Sequence, residues 1–226
     1  MGQGLGHTGG VTTYGLIFDL DGTLVDSLPG IANSLNRVLG SLRLPRHSLH
    51  AVRGFIGNGA RVLISRAAPL VTDDELLGQI EQAFKADYDR AWPTGSAVYP
   101  KVTGMLEELQ RREVPIAVLS NKTHAFTTAM VPTLFPNISF AAVLGQRAGI
   151  AHKPDPAGAF EIAALMGLPP KACMVIGDST IDLETARNSG MTAIAVTWGY
   201  HDRAALLARL PDAIIDTPEE LLSLLE

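Results

Sequence analysis

The chain has 226 residues, of which 46% are hydrophobic and 18% charged, and a formal net charge of −5. This is the composition of one globular domain, or of one domain carrying an insertion, and it excludes a disordered chain. An acidic balance with no basic block argues against nucleic acid or anionic membranes as partners, and the strand-sized apolar runs fall short of the roughly 20 residues a membrane helix needs.

Residues 1–12 are rich in glycine and lack the charged start and apolar core of a signal peptide, so they are expected to form a flexible tail. Gly4-x-Gly6-x-x-Gly9 matches a dinucleotide fingerprint by letter only, because no strand precedes it and no helix opens after it. With no leader and a single cysteine, Cys173, a reducing cytoplasmic setting is expected, and no internal disulfide is possible. Asn137-Ile138-Ser139 is then an accidental glycosylation match.

Tyr14 to Leu20 predicts a short buried strand that runs into Asp19-Leu20-Asp21-Gly22. A long helical region follows from about Leu28 to Ala91, with Leu35, Val38, Leu39 and Leu42 at helical spacing. Asp73-Asp74-Glu75 puts negative charge in a helical first turn, where the dipole favours it, and Pro93, Gly95 and Pro100 then punctuate the chain. Beyond Pro100 helices and strands alternate. Strands are expected at Pro115 to Leu119, Ala141 to Leu144, Cys173 to Ile176 and Thr192 to Val196, with a last one near Ala213. Apolar strands separated by helices imply a parallel sheet covered on both faces. The expected architecture is therefore α/β, with a core over residues 13–26 and 98–226 and a helical cap inserted over residues 27–97.

In such sheets ligands bind at the carboxyl ends of the strands. Four polar clusters fall there or just beyond: Asp19-x-Asp21, Ser120-Asn121, Lys153, and Gly177-Asp178 with Asp182. An Asp-Gly turn, a strand-end cap, a solvated lysine and a helix N-cap would each account for one of them alone. Four of complementary chemistry in one crevice call for a common cause. A carboxylate nucleophile splits a hydrolysis into two easier displacements, and a second carboxylate two residues on can protonate the leaving group and later activate water. Acidic oxygen ligands without a Cys or His cluster point to Mg²⁺ over zinc.

The run Phe18-Asp19-Leu20-Asp21-Gly22-Thr23-Leu24-Val25-Asp26-Ser27, together with Ser120-Asn121, Lys153 and Gly177-Asp178-Ser179-Thr180-Ile181-Asp182, resembles the four motifs of the haloacid dehalogenase superfamily. The resemblance covers the chain from about Tyr14 to its end and implies a Rossmann-like core with a helical cap. It implies Asp19 as nucleophile and Asp21 as acid and base. The metal ligands it implies are the Asp19 and Asp178 carboxylates and the Asp21 carbonyl. Ser120, Asn121 and Lys153 would hold phosphate, and Asp182 would orient a water ligand or Lys153. The acid at Asp21 argues against a true dehalogenase.

Within the cap, Ile56-Gly57-Asn58-Gly59-Ala60-Arg61-Val62-Leu63 resembles the phosphoglycolate phosphatase branch, as do Ser120-Asn121-Lys122-Thr123 and Trp198-Gly199-Tyr200. Backbone N–H groups near Asn58 and Gly59, with Arg61 or Arg53, would meet a small carboxylate. The expected partner is a small phosphorylated metabolite, and the expected state a monomer or homodimer. Three rival activities share parts of this pattern: a phosphosugar mutase, a phosphonate hydrolase that would need the cap lysine Lys85, and a non-catalytic phospholigand sensor.

Overall fold

The computed structural model describes residues 14–226, so the expected tail and its glycine motif lie outside the described residues. Six strands form one parallel sheet: β1 Gly15–Phe18, β4 Ile116–Thr123, β5 Ala142–Gln146, β6 Cys173–Gly177, β7 Thr192–Val196 and β8 Ala213–Ile215. They lie in the order β5-β4-β1-β6-β7-β8. Every residue of β1 and β6 is buried, as continuous apolar runs in a doubly covered sheet must be.

The two-residue period of the strands divides the core in two. Leu16, Phe18, Ile116, Val118, Met174 and Ile176 join one cluster, shared with α5 (Val102–Arg111) and α10 (Pro218–Leu224). Their neighbours Ile17, Ala117, Cys173 and Val175 point the other way, towards α7 (Ala157–Leu165) and α8 (Thr180–Ser189).

The helical region after β1 resolves into α1 Leu28–Ser41, α2 Leu49–Arg53, α3 Gly59–Ala67 and α4 Asp74–Gly95. The acidic run behaves as its charge suggests: Asp73 caps α4 by accepting from the Leu76 N–H at 2.7 Å, and Asp74 and Glu75 occupy the first turn. The sequence places a break at Pro93, yet α4 continues through it to Gly95. Tertiary packing overrides the proline there, because the end of α4 lies against α1 at a glycine pair. A Cβ on Gly30 would stand 2.7 Å from the Gly95 carbonyl oxygen.

Two short strands not foreseen from the sequence, β2 Val25–Asp26 and β3 Ala97–Val98, pair antiparallel where this insertion leaves and rejoins the sheet. Two residues are too few for a periodic signal. Strand β4 also runs four residues beyond its expected end at Leu119, with an irregular register between Leu119 and Thr123. Its polar end therefore projects past β1, while Thr123 stays level with Gln146 at the end of β5. Among the described residues no helix is long and apolar enough to cross a membrane.

Candidate active site

Strands β4, β1 and β6 are adjacent in the sheet, and their carboxyl ends carry Ser120-Asn121, Asp19 and Asp178 respectively. Chain order alone would scatter these residues over 160 positions; the parallel topology gathers them into one crevice. Lys153 reaches the same place from the loop before α7. Its ammonium lies 2.7 Å from Asp182 Oδ1, 2.8 Å from Asp19 Oδ1 and 2.8 Å from the Leu119 carbonyl oxygen.

The loop that carries Lys153 is clamped by Asn121, whose amide accepts from the Lys153 N–H at 2.7 Å and donates to the Lys153 carbonyl at 3.0 Å. Asn121 also donates to the Gly57 carbonyl, 2.9 Å away in the helical insertion. Asp182 is wholly buried and has both oxygens engaged. Oδ1 accepts from Lys153, while Oδ2 accepts from the Ser179 hydroxyl at 2.6 Å and the Ser179 N–H at 3.1 Å. These bonds complete a capping box at the start of α8. Asp182 thus fixes Lys153 from below, as a supporting residue.

Asp178 accepts from the Tyr200 N–H at 2.6 Å and from the Thr23 hydroxyl at 3.2 Å. The chain can come this close only because Gly22 lacks a side chain and sits at φ +93°; a Cβ there would stand 2.4 Å from Asp178 Oδ2. One carboxylate oxygen from each of Asp19, Asp178 and Asp182 lies within 4.8 Å of the others.

The electrostatics of this cluster are one-sided. Burial raises the Asp19 carboxyl from 3.8 to about 7, with the charge of Asp182 adding and Lys153 opposing. Burial likewise holds Asp178 well above the carboxylate range, reinforced by Asp182 and Asp19. Lys153 meets Asp19 as an ion pair off the hydrogen-bond angle, so the buried Asp19 Oδ1 is left without a hydrogen-bond donor. Oxygen donors of this kind, buried together with an orphaned atom among them, fit a hard dication.

The second carboxylate of the first motif takes a different environment. Asp21 is met by Lys122 Nζ at 2.9 and 3.1 Å and accepts from the Ser27 hydroxyl. The Lys122 side chain is 7% exposed, and its ammonium lies 4.7 Å from the centre of the Tyr88 ring on α4. Burial disfavours its charge, but Asp21 and Tyr88 outweigh that and hold the amine above its usual range.

Asp19, Asp21, Ser120, Asn121, Lys153 and Asp178 all face one cavity of about 790 Å³, a volume that includes the solvent at its mouth. Its far wall comes from the insertion and is mostly apolar: Ile31, Ile56, Leu63 and Phe84, with Phe126 of α6 (His124–Leu134). Gly59 lines it as well.

The other three residues expected to read a carboxylate lie elsewhere. Asn58 accepts from Arg66 at 3.0 Å. The Arg61 guanidinium bonds the Asp74 carbonyl at 3.0 Å and pairs with the Asp74 carboxylate. Arg53 donates to the Tyr200 carbonyl and, at 3.3 Å, to that of Gly199.

Sequence reasoning named neither Lys122 nor Tyr200 as a site residue. The signal for Lys122 was its place in line with Ser120-Asn121 at a strand end. Tyr200 was marked only by the Trp198-Gly199-Tyr200 resemblance and not by a role, since its hydroxyl acts on the Ser27 and Leu28 N–H groups at 2.9 and 3.0 Å, far away in sequence.

Comparison with known proteins agrees with this geometry. Residues 16–196 match the haloacid dehalogenase-like hydrolase family. A phosphoglycolate phosphatase of Yersinia pestis is 32% identical over 89% of this chain and 88% of its own length. One from Pseudomonas savastanoi pv. phaseolicola is also 32% identical, over 92% of this chain and 78% of its own. The crystal structure of a predicted phosphoglycolate phosphatase from Haemophilus somnus superposes with a TM-score of 0.89 at 30% identity, over 96% of this chain and 100% of that one. A haloacid dehalogenase-like hydrolase from Streptococcus pneumoniae gives 0.85 at 26% identity, over 95% and 99%. With four motifs gathered in one crevice and a match across most of its length, this chain belongs to the haloacid dehalogenase-like hydrolase family.

Proposed function

We propose that the protein is a Mg²⁺-dependent phosphatase that hydrolyses a small anionic phosphate monoester, 2-phosphoglycolate first among those to test, through a phosphoryl group carried on Asp19. The observation that carries the reading is the convergence of Asp19 and Asp178, at the ends of two adjacent strands, with Lys153 from the loop before α7. The names of the relatives support the choice of substrate. In this reading residues 27–97 act as a cap over the core, and the enzyme works in the cytoplasm as a monomer or homodimer.

Asp19, Asp178 and the Asp21 carbonyl would hold the ion, which when bound neutralises charge on the phosphoryl oxygens. Ser120, Asn121 and Lys153 bind and orient the phosphate. The Lys153 ammonium offsets the repulsion between the Asp19 carboxylate and an incoming anion. An Asp19 oxygen attacks phosphorus as the bond to the ester oxygen breaks, and Asp21 gives its proton to that oxygen. The Asp21 carboxylate then takes a proton from a water that attacks the same phosphorus, which releases inorganic phosphate and restores Asp19. Asp182 keeps Lys153 aimed throughout.

Phosphate release should be measured on a panel of phosphorylated metabolites, with EDTA and then with Mg²⁺ restored. Turnover that vanishes in EDTA and returns with Mg²⁺ is expected, with 2-phosphoglycolate a preferred substrate. Full activity in chelator would remove the role given to Asp178. Brisk turnover of a sugar or nucleotide phosphate with none of 2-phosphoglycolate would discard the substrate and leave the phosphatase.

A further inference from the structure

Neither the family motifs nor the expected cap arginines assign any role to the buried ammonium of Lys122. We propose that Lys122 is the specificity residue of this site: it binds a carboxylate that stands one carbon from the ester oxygen of the substrate. This rests on the phosphatase reading above and replaces Arg61 and Arg53 as the source of positive charge.

The geometry leaves few other places for such a carboxylate. Among the described residues that line the cavity, Lys122 and Lys153 are the only lysines or arginines. Lys153 is committed, with Asp19, Asp182 and the Leu119 carbonyl within 2.8 Å of its ammonium. His201 also lines the cavity, but burial lowers its pKa and its Nδ1 accepts from the Thr180 N–H. The insertion's wall opposite is apolar at Ile31, Ile56, Leu63 and Phe84, and a carboxylate buried there would lack any partner.

Lys122 is also at the right distance from the chemistry. It touches both oxygens of Asp21, at 2.9 and 3.1 Å, and Asp21 is the group that must reach the ester oxygen. A carboxylate separated from that oxygen by one carbon therefore falls within reach of the same ammonium. Sharing one ammonium between two carboxylates has a precedent in this site, since Lys153 bridges Asp19 and Asp182. The Lys122 ammonium meets both the Tyr88 ring of the insertion, 4.7 Å from its centre, and Asp21 of the core at 2.9 Å.

The test compares 2-phosphoglycolate with ethyl phosphate, which keeps the ester and chain length and replaces the carboxylate by a methyl group. Losing a hydrogen bond to a charged group weakens binding by about 10- to 100-fold. Lys122→Met should lower the ratio of kcat/KM for 2-phosphoglycolate over ethyl phosphate by about that factor, whatever happens to the absolute rates. Lys122→Arg, which keeps the charge, should retain most of the ratio. If Lys122 only props Asp21, both esters lose equally, the ratio stays put, and the proposal is overturned.

A binding arm does not depend on turnover. Calorimetric titration of the Asp19→Asn chain in Mg²⁺ should show 2-phosphoglycolate binding about 10- to 100-fold tighter than ethyl phosphate, with the advantage lost when Lys122→Met is added. Equal binding of the two ligands overturns the proposal even where Lys122→Met fails to fold. Discrimination that persists in Lys122→Met overturns it too. A wild type that binds 2-phosphoglycolate selectively but hydrolyses no phosphate ester of the metabolite panel would refute the phosphatase reading while leaving the role of Lys122 intact.

Discussion

Asp19→Asn is expected to stabilise the metal-free protein while abolishing its turnover. Burial raises the folded Asp19 carboxyl to about 7, whereas an aspartate in the unfolded chain titrates near 3.9. Between those values the folded chain keeps a proton that the unfolded chain has released. Stability therefore falls as pH rises through that window, and the whole deficit is in place above about pH 7. Three units correspond to about 4 kcal/mol. The Asp19 side chain keeps 12% of its exposure, so we expect the realised deficit at about pH 8 to be about 2–4 kcal/mol. Asparagine has the same shape and bears none of it. Urea denaturation of both chains in EDTA should show Asp19→Asn more stable by that amount at about pH 8, with the gap closing towards about pH 4. Mg²⁺ should close most of that gap, since an ion at one hundred times its Kd stabilises the wild type by about 2.7 kcal/mol and the amide is a poorer ligand. If Asp19→Asn is no more stable than wild type in EDTA at about pH 8, the carboxylate is not the strained group inferred here.

Tyr200→Phe should destabilise the protein by about 1–3 kcal/mol in the same denaturation assay. It strips the buried Ser27 N–H of its acceptor where the Ser27 side chain makes no cap bond, while the Leu28 N–H keeps Asp26 Oδ1 at 3.2 Å. A loss under about 0.5 kcal/mol would mean that water fills the gap. Gly22→Ala should lower kcat/KM by about 100-fold, because the new Cβ, 2.4 Å from Asp178 Oδ2, must displace that carboxylate. Near-normal turnover would show that Asp178 has room to move. Arg61→Ala removes a guanidinium paired with an exposed Asp74, so stability should change by less than about 1 kcal/mol. Its selectivity for 2-phosphoglycolate over p-nitrophenyl phosphate should hold; an approximately tenfold fall would mean that Arg61 turns inward during turnover.

The core was legible in the sequence because its signals are local. Apolar runs such as Cys173-Met174-Val175-Ile176 have one use in a protein of this composition, and the polar residues that end them mark the crevice. The insertion was legible as helical but not in its parts. The boundaries between its helices depend on tertiary contacts, as the continuation of α4 through Pro93 shows. The reach of β4 was hidden because Ser120-Asn121-Lys122 reads as a loop until Asn121 is seen clamped between Lys153 and Gly57. The cap arginines illustrate the limit of charge reading. A guanidinium in the right segment says nothing of its direction, and here Asp74 and the Tyr200 carbonyl take the two.

The β2–β3 ribbon bears on how such an enzyme diversifies. Val25 pairs with Val98 and Asp26 with Ala97, so the chain departs from the core and returns to it within one inter-strand spacing, about 4.8 Å. To the sheet, everything between these pairs is equivalent to the tip of a hairpin, and its length and shape place no demand on strand order or register. A chimaera that exchanges residues 27–96 for the corresponding piece of a relative can thus keep Asp19, Lys153 and Asp178 where they are. The part that shapes the far wall of the cavity is, in this sense, a replaceable fitting on a fixed reaction centre, so new substrates can be tried without rebuilding the chemistry.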